Sequence, residues 1–333
     1  MKIESCPVIC YLVLYSWEQY NALGGIHMIF GISCYCLDPV MAAGEMSPEA
    51  LAAYVAEIGC EHMELVPFSL PFVTSDGLNS SLIQRVKRAF REVGIPLSAY
   101  SLNADLLMPD LEARNAEIER VKKHMQAAAE LGIPLMRHDI ASFRRPFSKN
   151  TQERFEEELP LMVEGSRLLF DYAASLGLLV TLENHGFFCN GSDRMLRLLE
   201  AIDRPGLGMT LDVGNFLCVD ENPSEAVRAC APYAKMVHFK DFYLREKSRL
   251  PGQSGLFDCN MGSWFETMGG KLLRGAITGQ GDMDLFSIAD ILLKAGFNGP
   301  VSVEFEGMEE CKKGTQISFA MTQAIFREVK GEI

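Results

Sequence analysis

The chain has 333 residues, and its 31 Lys plus Arg against 44 Asp plus Glu give a formal net charge of −13. That acidic balance argues against a surface that grips a nucleic-acid backbone, because such proteins present a basic face. A hydrophobic share of 48% supports a large buried core, and the length suits one elaborated α/β barrel as well as it suits two smaller domains.

Residues 1–27 fit no regular element and read as an N-terminal extension. The apolar stretch from Pro7 to Tyr15 is too short to span a bilayer, and no small-residue cleavage site follows it. From Met28 onward, eight runs rich in β-branched and aromatic residues read as strands: 29–36, 62–68, 97–102, 135–140, 179–184, 208–213, 236–241 and 301–306. Amphipathic segments alternate with them at 47–58, 78–93, 111–131, 151–176, 192–202, 223–232, 284–295 and 315–330. Ser47-Pro48-Glu49 and Asn222-Pro223-Ser224 carry a capping side chain before a first-turn proline, which predicts helix starts. Gly94, Gly132, Gly177 and Gly296 each follow a helical segment and predict its end.

Strict alternation of this kind requires parallel strands joined by crossover helices, and eight units close a (β/α)8 TIM barrel spanning 28–333 as a single domain. An open doubly wound sheet is the runner-up, but neither GxGxxG nor GxxxxGK[ST] occurs. The ten cysteines show no CxxC pair and read as reduced core residues of a cytoplasmic protein with no membrane contact.

Four of the late strand-like runs end in a metal-binding side chain: Glu183 in VTLENHG, Asp212 in MTLDVGN, His238 in MVHFKDF and Glu304 in VSVEFEG. Thr181, Thr210 and Ser302 lie two residues before the acids and share their strand face. At the carboxyl ends of barrel strands such groups converge on one mouth. Three carboxylates and an imidazole there predict one divalent cation, Mn²⁺ first, with Mg²⁺, Co²⁺ or Zn²⁺ as alternatives; the absence of a thiolate disfavours a structural zinc. A cation chelating a carbonyl and its neighbouring hydroxyl would stabilise an enediolate, with Glu183 and Glu304 exchanging protons on either side. The gap from His238 to Glu304, 304 − 238 = 66 residues, exceeds one βα unit and predicts an insertion at roughly 243–282 after the seventh strand.

Around this set, His138 in LMRHDI ends the fourth strand and is a candidate acid or base. His185, Lys240, Glu64, Asn215, Arg245 and the lid residue Trp264 are candidates for binding substrate, and Asp241 and Glu306 for orienting the ligands. Phe68, Phe187, Phe216 and Trp264 are candidates for an apolar wall.

With LENHG, LDVGN, VHFKD and VEFEG in hand, the chain resembles the xylose-isomerase-like TIM-barrel superfamily, in its sugar phosphate isomerase/epimerase branch, from about Met28 to the end. The resemblance implies the metal set Glu183, Asp212, His238 and Glu304, with the two glutamates as acid and base, on a small carbohydrate and in an oligomer. It departs from the branch's ketose 3-epimerases at Asn215, where they commonly carry histidine, and at Leu244 with Arg245 adjacent, where they carry arginine. The expected activity is a sugar or keto-sugar isomerase or epimerase. An alternative is a lyase similar to C-glycoside deglycosidase α subunits, which cleave 3-keto glycosides with a strand-four histidine base and a β-rich partner subunit; there His138 would be that base. A noncatalytic sugar-binding barrel is the third reading.

Overall fold

The computed structural model describes residues 28–249 and 263–332. The expected extension at 1–27 lies outside the described residues, as does part of the predicted insertion.

Eight parallel strands close a barrel: β1 (Ile29–Ser33), β2 (His62–Leu65), β3 (Leu97–Leu102), β4 (Leu135–His138), β5 (Leu179–Glu183), β6 (Gly208–Asp212), β7 (Ala234–Phe239) and β8 (Pro300–Val303). Each strand follows its predecessor around the ring, and β8 pairs with β1 from Ile29 opposite Pro300 onward. The principal helices are α1 (Pro48–Glu57), α2 (Ser80–Val93), α3 (Leu111–Leu131), α4 (Gln152–Ser175), α5 (Ser192–Ile202), α6 (Pro223–Cys230), α7 (Leu285–Lys294) and α8 (Cys311–Val329), with a short helix at Asp38–Ala42. Strand and helix therefore alternate throughout, as the hydrophobic periodicity requires. No described helix is long and apolar enough to cross a membrane.

The predicted helix starts hold at atomic detail, with the side chains of Ser47 and Asn222 accepting from the amides of Ala50 and Glu225. Several predicted strands run two or three residues short. Cys34 to Leu37 turn into a 3₁₀ segment, and β2 stops at Leu65 rather than Phe68. The tails beyond the ladder form the loops of the barrel mouth, where the apolar residues still pack although the backbone has left the sheet.

Period-two alternation sorts every strand into an outward face packed by helices and an inward face that fills the barrel. Ala99, Leu135, Leu179 and Met236 form a separate apolar cluster and plug the base. Above it the interior turns polar. Thr181 and Thr210 share a hydroxyl hydrogen bond of 2.8 Å, and His62, fully buried, bonds Ser98 Oγ at 2.8 Å and the Val301 carbonyl at 3.1 Å. Gly31 makes room for that imidazole, since a Cβ there would lie 2.2 Å from the His62 carbonyl oxygen.

The described part of the predicted insertion is an ordered cap. One residue beyond β7 the chain enters an antiparallel strand, Asp241–Arg245, which pairs with Leu272–Ala276, itself paired with Phe265–Glu266. The buried Asp241 carboxylate anchors the cap by accepting from the amides of Phe242 (2.9 Å), Gly279 (3.0 Å), Gly281 (2.8 Å) and Met283 (3.3 Å). Asp241 thus binds the cap, which corrects the expectation that it orients a metal ligand.

Candidate metal centre

The ends of β5, β6, β7 and β8 bring Glu183, Asp212, His238 and Glu304 together, with one ligand atom from each lying within 4.8 Å of the others. All four are buried. Asp212 spends Oδ1 on the amides of Gly214 (2.9 Å) and Asn215 (2.8 Å), so that Oδ2 faces the cluster, buried and without an aligned hydrogen bond. His238 points Nδ1 at the acids, 3.0 Å from Glu183 and 3.4 Å from Glu304. Its Nε2 lies 2.9 Å from Glu64, which also takes the Ser101 hydroxyl.

Two cations brace this acidic floor. Lys240, almost fully buried, places Nζ 2.9 Å from each of Asp212, Glu304 and Glu306. Arg137 reaches Glu183 in close contact and Asp139 at 2.9 Å. Burial alone would push the Glu304 carboxyl up, but His238, Lys240 and Arg137 outweigh it and hold it below the usual carboxylate range. Glu64 is likewise lowered, its desolvation overcome by His238. Against desolvation, Glu304, Glu64 and Asp212 raise His238, and Asp212, Glu304 and Glu306 raise Lys240. The donor set fits a hard divalent cation: three carboxylates, among them Asp212 with a buried Oδ2 that faces the cluster, and an imidazole whose second nitrogen is held by a carboxylate.

Above the floor opens a cavity of about 580 Å³ whose lining includes Glu183, Glu304, Lys240, His185, Asn215 and Arg137. Tyr35, Phe68, Phe143, Phe187, Phe242 and Phe265 form its apolar walls. Asn215 donates to the Asn184 carbonyl at 2.9 Å and sits 3.5 Å from Glu183.

Four expected site residues fall elsewhere. His138 shares its parity with Met136 and Ile140, on the face packed by helices; it is fully buried, with Nδ1 2.8 Å from the Asp139 carbonyl. Arg137 takes the inward position in its place. Glu64 lies behind His238, where it orients the ring instead of gripping a ligand. Arg245 is turned out of the cavity by its ion pair with Asp282, and Trp264 is buried beneath the Arg274 guanidinium, 5.0 Å away. Phe216 of the expected apolar wall belongs to the core. Sequence reasoning missed Arg137, Asp139 and Phe143, although the apolar pair Met136 and Ile140 flanking His138 was a signal that His138 faces outward.

The fold has counterparts among solved structures. A D-psicose 3-epimerase from Clostridium cellulolyticum H10, solved with D-tagatose, aligns over 90% of this chain and 99% of its own at 16% identity and a TM-score of 0.65. A 3-keto-D-glucoside 4-epimerase from E. coli aligns over 89% and 99% at 16% identity and a TM-score of 0.63. A xylose isomerase-like TIM-barrel protein from Mycobacterium smegmatis, in complex with magnesium, aligns over 85% and 89% at 16% identity and a TM-score of 0.61. No curated protein sequence matches. Residues 52–325 match the family described as xylose isomerase-like TIM barrel, and the chain belongs to it.

Proposed function

We propose that the protein is a divalent-metal-dependent isomerase or epimerase of a sugar or keto sugar. The observation that carries this reading is the cluster of Glu183, Asp212, His238 and Glu304 at the barrel mouth, open to a cavity with room for a small carbohydrate. It is supported by the likeness to epimerases of D-psicose and of a 3-keto-D-glucoside.

When bound by those four residues, a divalent ion supplies Lewis-acid polarisation of a substrate carbonyl, acidifying the neighbouring C–H. The chain's own groups do the rest. Glu304, held below the usual carboxylate range, takes the proton from the carbon next to the carbonyl, and Glu183, carrying a proton taken up from solvent, returns one to that carbon, so that the substrate passes through an enediolate. Lys240 and Arg137 hold the two carboxylates in place, and the aromatic walls exclude water from the reacting carbons.

A lyase acting on 3-keto glycosides is the second reading. A hexose has about a dozen heavy atoms, and even at the ~30 Å³ that a liquid water occupies these fill roughly 360 Å³. The cavity of about 580 Å³ therefore has room for a leaving group. In that scheme Glu304 or Glu183 replaces the outward-facing His138 as base.

The test is proton exchange. Manganese-loaded protein, incubated in D₂O with a ketose panel and with 3-keto glycosides, is expected to place deuterium at one substrate carbon. The product is a rearranged sugar in the first reading and a released aglycone in the second. Chelation abolishes the exchange, and Glu304→Gln lowers it by about 10²–10⁴-fold. Exchange that survives exhaustive chelation would refute both schemes.

A further inference from the structure

His185 reaches the cavity wall from the turn after β5, and what stands behind it decides what it presents to a ligand. Its Nδ1 lies 3.1 Å from both oxygens of Asp139, which is only 2% exposed. Asp139 is held in turn by Arg137 at 2.9 Å, and the same guanidinium reaches Glu183. Arg137 stands opposite Thr181 in the β4–β5 register, so it reaches Glu183 along the diagonal, and the next step along the strand ends pairs Asp139 with His185. Two acid–base pairs therefore cross one strand junction in opposite senses.

The ring is also fixed from the side. Phe143 lies against it, centroids 5.4 Å apart and planes 30° apart. That contact depends on Gly186, whose φ of +72° is left-handed and whose Cβ would lie 2.6 Å from the Phe143 Cα. Nε2 has no protein partner among the described residues, and the ring lines the cavity with its side chain 26% exposed.

We propose that Asp139 is a positioning residue that locks His185 as the Nδ1–H tautomer, so that the cavity meets a bare Nε2 lone pair able to accept the hydrogen of a substrate hydroxyl. An ionised carboxylate only accepts hydrogen bonds, so the ring nitrogen beside it must be the donor, and the other nitrogen of a neutral imidazole is then the acceptor. Asp139 stays ionised because Arg137 and then His185 overcome the upward push of its burial. The consequence is specificity. A substrate with a hydroxyl at this point is welcomed, whereas a carbonyl or ether oxygen there would oppose one lone pair with another. The identity of that substrate rests on the sugar-enzyme reading; the tautomer does not.

Two-bond ¹H–¹⁵N correlation of the imidazoles in the full-length, ¹⁵N-labelled protein, at mildly alkaline pH where imidazoles are neutral, reads the tautomer without any substrate. The His185 signals are identified by their loss in His185→Gln. A protonated Nδ1 and a bare Nε2 are expected in the wild type. In Asp139→Asn the carboxamide can donate to Nδ1, and the proton pattern is expected to invert, as happens when the orienting acid of a Ser-His-Asp triad is amidated. A wild-type ring protonated at Nε2, or at both nitrogens, overturns the proposal, and that spectrum decides even if the variant does not fold. An Asp139→Asn variant that folds and leaves the pattern unchanged also overturns it. For any sugar that is turned over, the preference of the wild type for the free hydroxyl over its O-methyl ether is expected to be about 10–100-fold and to collapse in Asp139→Asn. If no sugar is turned over, the functional reading fails while the tautomer result stands on its own.

Discussion

At the scale of single residues, each member of the candidate metal set is aimed by a second group. Glu64 is the clearest case, since it holds Nε2 of His238 at 2.9 Å and leaves Nδ1 facing the acids. Outer carboxylates of this kind raise the basicity of the imidazole and fix its tautomer. Glu64→Gln is expected to weaken manganese binding by about 10–100-fold with the barrel intact, measured by titration calorimetry; an unchanged affinity would show that Glu64 serves only the fold. The convergence of Glu183, Asp212, His238 and Glu304 was legible in the sequence because metal-binding side chains recur at the ends of successive apolar runs. The parity of β4 was read the wrong way round because imidazole chemistry drew the eye to His138. Leu135 in the basal plug fixes the inward parity and hands the site Arg137 and Asp139.

At the scale of elements, the predicted pattern of strands and helices survives almost unchanged, because burial on two faces and the capping chemistry act locally. The cap could be placed but not drawn. Its antiparallel register depends on pairing between Asp241–Arg245 and Leu272–Ala276, which no local signal announces, and so Arg245 and Trp264 were assigned to a cavity that neither reaches. Four amides converge on Asp241, whose carboxyl burial pushes up even as those amides pull it down. Asp241→Ala would leave them unpaired, and a charge-assisted hydrogen bond contributes roughly 1.5–3 kcal/mol. Hydrogen exchange at residues 279–283 is expected to accelerate on the order of 100-fold without loss of the barrel. Unaltered protection would mean that the cap is held by its apolar contacts alone.

At the scale of the whole molecule, a barrel with a polar interior has a stability that depends on pH. Burial brings the His62 imidazole down from 6.5 to about 4. Between those values the unfolded chain takes up a proton that the folded chain refuses, so stability falls as pH drops through that window and rises again toward neutrality. His124 and His138, also lowered chiefly by burial, act with the same sign. His238 has the opposite sign, its raised pKa giving stability that is present below 6.5 and lost as pH rises through the folded value. Urea unfolding of wild type and His62→Gln between pH 6.5 and 5 is expected to show a shallower slope in the variant, by up to about 1.4 kcal/mol per pH unit. Parallel slopes would place the titration elsewhere.

The end of the seventh strand and the two residues after it thread three duties onto four consecutive positions: His238 as the imidazole of the cluster, Lys240 as the ammonium beneath the acids, and Asp241 as the root of the cap. Sheet periodicity leaves no slack among them. One residue inserted before Phe239 would present a benzyl group where the ammonium belongs, and would unseat the roof at the same time. Variation in the length of this protein among its relatives should therefore collect farther out, between the cap's strands. A longer or shorter excursion there leaves the furniture of the floor in place.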